Sequence, residues 1–112
     1  MASALIKIQS VIVGGYKDAV GQLPVVSLNE HRALRKFHAL LMASLRARKS
    51  EMAWYVKEQG LPSDDAALDT LYSALEGKIW DYLTYKNTEL TLFNFTKEAE
   101  KLALQAIAGI RP

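Results

Sequence analysis

The stretch Ser27–Gly60, SLNEHRALRKFHALLMASLRARKSEMAWYVKEQG, decides how the rest of the chain is read. Leu34, Phe37, Leu41, Leu45, Met52, Tyr55 and Val56 recur at helical spacing and form one apolar stripe. The stretch opens on Ser27-Leu28-Asn29-Glu30, a capping box in which Ser27 bonds the third helical amide and Glu30 reaches back. It closes on Gly60, which tolerates the left-handed turn after a helix, and Leu61-Pro62, where proline ends the ladder. One helix is therefore expected from Ser27 to Gln59. At about 1.5 Å per residue it would span about 48 Å, which is long for a chain of 112 residues. Either it bends near Arg48, or part of it projects and is buried by another subunit, so self-association or membership of a larger assembly is expected.

Three further segments surround it. From Ser3 to Val20, Leu5, Ile8, Ile12, Tyr16 and Ala19 share one helical face. Val11-Ile12-Val13 ahead of Gly14-Gly15 would also suit a strand and turn. Helix is the favoured reading, with the glycine pair allowing a close backbone approach or marking a break. The third segment starts at Pro62, with Ser63 as N-cap and Asp64 and Asp65 where the helix dipole favours acids. Its inner face carries Leu68, Leu71, Tyr72, Leu75, Ile79, Tyr82 and Leu83, and it runs to about Lys86, before the breaker Asn87-Thr88. The last segment, Glu89 to Ala108, places Leu92, Phe95, Ala99, Leu102, Ala106 and Ile110 together, although Leu90 to Phe95 could pass for a strand. The expected fold is all-α: one domain, an antiparallel bundle of three to four helices with one long central helix. Tyr16, Tyr55, Tyr72, Tyr82, Phe93 and Phe95 are expected in its core.

Composition excludes some chemistry. There is no cysteine, hence no disulfide, thiolate metal site or cysteine nucleophile. Lys7, Gln9 and Ser10 interrupt the apolar N-terminal run, and no stretch of about 20 apolar residues exists, so neither a signal peptide nor a membrane span is read. A soluble, cytoplasmic protein is expected. Both histidines, His31 and His38, lie on one helix, and their spacing suits neither a metal site nor a catalytic triad. Arg32 and His38 match the loose R-x5-H spacing of one class of helical ribonucleases, but on a straight helix they point about 120° apart. No metal, cofactor, small-molecule substrate or enzymatic reaction is expected.

Charge carries the one hint of a partner. His31 to Lys57 holds seven Lys/Arg against Glu51 alone, and Glu58 to Glu100 holds nine acids against three lysines. Such a split marks a polyanion-binding surface, or two helices that attract each other, or head-to-tail association. On a helical projection Arg32, Arg35, Lys36, Arg46 and Lys57 lie opposite the apolar stripe with Trp54 among them. Cations in line with an indole fit a helix that follows a phosphate backbone and stacks a base or sugar. A merely solvated face fits too. Arg48 instead projects near the centre of the apolar stripe. It must turn outward at a bend, pair with an acid of the third or fourth segment, or hold an anion in a cleft.

Two functional expectations follow. One is a non-catalytic helical subunit that binds RNA or DNA through the basic face. The other is a protein–protein adaptor or inhibitor, of the kind phages and mobile elements encode, acting through outward Trp54 or Trp80.

Overall fold

The computed structural model describes residues 4–23, 31–85 and 91–111. Among them are five helices and no strand: α1 (Ala4–Gln22), α2 (His31–Ala47), α3 (Lys49–Glu58), α4 (Asp65–Tyr85) and α5 (Leu92–Ala108). α2 and α3 together are the expected long segment, separated by Arg48 alone. The capping box at Ser27 and the breaker at Asn87-Thr88 lie outside the described residues. The remaining segments agree with the sequence reading where they are described; Val11–Val13 is helical, and the stretch that ends at Phe95 is helical from Leu92. Among the described residues no helix is long and apolar enough to cross a membrane.

The four segments close into a ring. α1 packs on α2 and α3, α2 on α4, α4 on α5, and α5 back on α1. Pairings of side chains set the directions. Lys7 meets Tyr55 while Asp18 meets Ser44, so α1 runs against α2 and α3. Trp80 meets His31 while Asp65 meets Lys49, so α4 runs against them too. The core is one cluster drawn from every helix, with Tyr16, Phe37, Leu41, Leu45, Met52, Leu71, Leu75 and Phe95 among its fully enclosed members. Tyr16 stacks on Phe95 at 4.4 Å between centroids and meets Phe37 edge-on at 5.5 Å. The longest extent of the molecule is 40 Å. α2 and α3 therefore run along its length rather than projecting from it.

The stop signals act as the sequence implies, with one shift. Gly60 adopts φ +73°. Its amide bonds the Lys57 carbonyl at 2.9 Å and the Leu61 amide reaches back to Val56 at 3.4 Å, the paired closure of a Schellman turn. The cap of α4 is Asp64 rather than Ser63: Asp64 Oδ1 accepts the Ala67 amide at 3.2 Å. Thr91 caps α5, its side chain accepting the Asn94 amide at 3.1 Å. That bond starts a helix in a stretch whose apolar pattern also suited a strand.

The break at Arg48 has a tertiary cause. The Leu45 carbonyl accepts the Arg48 amide at 3.1 Å, a tightened turn, and also the buried Tyr72 hydroxyl at 2.9 Å. A side chain that enters the i→i−4 ladder is a recognised origin of helix breaks. No glycine or proline lies between His31 and Gln59.

The glycine pair of α1 admits this junction. A Cβ on Gly15 would stand 2.6 Å from Leu45 Cδ2, and one on Gly14 would stand 3.2 Å from Arg48 Cζ. The pair thus permits close approach and does not interrupt α1.

Candidate nucleic-acid interface

The seven cations of α2, α3 and the residue between them fall into two groups. In the first turns of α2, Arg32, Arg35 and Lys36 are all exposed. Among the described residues no carboxylate pairs with any of them, and the first turn of α2 holds no acid. They lie within about 6 Å along the axis.

The cations around the break are taken. Arg46 Nη2 donates to Glu76 Oε1 at 3.1 Å, and its guanidinium lies 5.4 Å from the Tyr72 ring centroid. Lys49 Nζ donates to Asp65 Oδ1 at 2.9 Å. That bond raises the Lys49 pKa and lowers that of Asp65. Arg48 Nη2 donates to Asp18 Oδ2 at 2.7 Å, and the Ser44 hydroxyl donates to the same oxygen at 2.7 Å. The Ser44 bond first, and the Arg48 bond second, hold the Asp18 carboxyl below the usual aspartate range.

Arg48 thus corrects the sequence reading in a specific way. The helix does break there, and the arginine does find an acid. That acid belongs to α1, not to the third or fourth segment. Its side chain keeps 31% of its surface exposed, and among the described residues no charged side chain is buried. The predicted five-cation line is likewise interrupted, because Glu76 and Tyr72 engage Arg46. Lys57 is exposed but stands about 33 Å along the segment from Arg35.

The tryptophans differ. Trp54 is 61% exposed on the outward side of α3. Trp80 is half-buried, set edge-on against His31 at 5.6 Å and His38 at 5.3 Å. His38 Nε2 lies 2.9 Å from the Glu76 carbonyl oxygen. The seven-residue histidine spacing therefore places two rings on the surface of α2 that faces α4, where they clasp Trp80. Among the described residues no group of three His, Asp or Glu could hold a metal ion. Phe93, expected in the core, is instead 67% exposed.

Sequence reasoning missed Asp18, Asp65, Tyr72 and Glu76 as the partners of the basic segment. The acidic run after Glu58 was the available signal for Asp65 and Glu76, since attraction between helices was one meaning of the charge split. Nothing local pointed to Asp18 or to the Tyr72 hydroxyl. Comparisons with protein-family models, with curated proteins and with solved structures find no match for this chain.

Proposed function

We propose that this chain is a non-catalytic helical subunit, working in the cytoplasm, that binds a nucleic-acid backbone through Arg32, Arg35 and Lys36. The observation that carries the reading is the contrast within one basic segment. The cations near the break each meet an acid, whereas these three stand exposed together without one among the described residues. Exposed guanidinium and ammonium groups on successive turns match the geometry of successive phosphates, and Arg adds bidentate bonds. Three such contacts set the scale: log K should fall against log salt with a slope of about −2 to −3. The interaction is thus weak and sequence-independent, as suits one subunit among several. Polyanion titration at low and moderate salt tests it. The triple change Arg32→Glu, Arg35→Glu, Lys36→Glu should abolish binding without altering the melting temperature. Equal binding by that variant would remove the proposal.

A second reading rests on Trp54. An indole 61% exposed on an outward helix face is a common anchor at protein interfaces. Under this reading Trp54→Ala weakens capture of a protein partner and leaves polyanion binding unchanged.

A further inference from the structure

The outer face of α5 carries an order of residues that is complementary to its own reverse. Taking about 100° per residue, Phe93, Lys97, Glu100 and Leu104 fall within a window of about 60°, on the side away from the buried Phe95, Ala99, Leu102 and Ala106. All four are exposed, and the apolar ends are prominent: Phe93 at 67% and Leu104 at 49%. The sequence along the line is apolar, cation, anion, apolar, with a step of four positions from Phe93 to Lys97 and again from Glu100 to Leu104. Lys97 Nζ already sits 4.4 Å from the Phe93 ring centroid, which orders both side chains. Neither α1 nor α4, the two helices that pack on α5, covers these residues.

We propose that this face is a two-fold self-association surface and that its occupant is a second copy of the same chain. Two α5 helices laid antiparallel can adopt one register that satisfies every position. With the axis between Glu98 and Ala99, Phe93 meets Leu104 of the second copy and Lys97 meets Glu100 of the second copy. The two-fold repeats both pairs. A parallel arrangement sets Lys97 against Lys97 and Glu100 against Glu100, which is repulsive. Shifting the antiparallel register by one helical turn parts Lys97 from Glu100 and sets Phe93 against Glu100 in one direction or Leu104 against Lys97 in the other. Charge complementarity and apolar matching therefore coincide in a single arrangement, which is what an isologous interface requires. The patch is one helix face, smaller than a stable obligate interface, so the dimer is reversible and concentration-dependent.

Sedimentation equilibrium of the full chain over a wide concentration range tests this. The wild type should show a monomer–dimer equilibrium. Lys97→Glu alone and Glu100→Lys alone should each be monomeric, because each sets like charges opposite one another twice. Mixing the two single variants should restore dimers, since each then offers the charge that the other lacks. Phe93→Ser should weaken the wild-type association by about tenfold or more. These side chains are exposed, and circular dichroism checks that each variant remains helical. A wild type that stays monomeric at all concentrations overturns the proposal, as do single charge variants that associate like the wild type or a mixture that fails to recover dimers.

Discussion

The first turns of α2 and the junction between α2 and α3 belong to one basic segment, yet the fold treats them oppositely. At the junction the surroundings converge. Gly14 and Gly15 let α1 approach, the Tyr72 hydroxyl takes the Leu45 carbonyl, and Asp18, Asp65 and Glu76 each meet a cation. At the start of α2, His31 and His38 lean on Trp80 while Arg32, Arg35 and Lys36 stay in solvent. Equal charge in the sequence thus says little about availability. A cation becomes structural when a neighbouring helix brings a carboxylate within hydrogen-bond reach, and only the unmatched remainder is left for a partner.

That contrast can be broken most forcefully by overfilling the junction. Gly15→Ala puts a methyl group 2.6 Å from Leu45, a side chain with no exposed surface. It should cost about 1–3 kcal/mol in urea unfolding. Gly21→Ala, on the same helix and with nothing within 4 Å of its added Cβ among the described residues, should instead stabilise by up to about 1 kcal/mol. Similar effects of the two changes would mean that α1 does not press on the junction.

The next effect is smaller and concerns two buried tyrosines, both pushed up to about 12 by burial. Tyr72→Phe removes the hydroxyl bonded to the Leu45 carbonyl and should cost about 1 kcal/mol. Tyr16 offers the control, because its buried hydroxyl has no hydrogen-bond partner among the described residues. Tyr16→Phe should be neutral or stabilising. Thermal melts that rank these variants the other way would sink this account of the break. Because the folded values lie above that of an unfolded tyrosine, the associated stability is complete below the ordinary tyrosine range. It is lost as pH rises towards about 12.

The smallest effect separates Asp18 from the open cations. Its carboxyl titrates lower when folded than when unfolded, held down by Ser44 and then Arg48. The stability this provides is present above the ordinary aspartate range and is lost as pH falls through the depressed folded value. Asp18→Asn should therefore flatten part of the acid-side decline in the urea midpoint, whereas Arg35→Ala should leave that profile unchanged. Parallel acid profiles for wild type and Asp18→Asn would show that the Asp18 cluster adds nothing.

Much of the architecture was legible from short-range signals. The spacing of Leu34, Phe37, Leu41 and Leu45 marks a buried helix face, and Gly60 with Pro62 ends a helix and turns the chain. Each depends on atoms a few residues apart, so the chain itself carries the information. The same holds for the exposure of Trp54, which follows from its position opposite the stripe.

The remainder depended on what packing brought together. Projection placed Arg46 outward beside Arg35, but only α4 could supply Glu76. It placed Arg48 inward, but only the approach of α1 over two glycines could supply Asp18. Trp80 projected to the polar side, and only the antiparallel pairing with α2 put His31 and His38 against it. Phe93, aromatic and therefore assigned to the core, lies outside because the buried face of α5 is set by Phe95, Ala99 and Leu102. Helix-forming and turn preferences act over a few residues and survive in the sequence as patterns. The ion pairs between helices, the Trp80 contacts and the Tyr72 bond at the break join residues 16 or more positions apart, more than about four helical turns. They exist only once the helices have chosen their neighbours, so tertiary structure decides which cations remain for a partner.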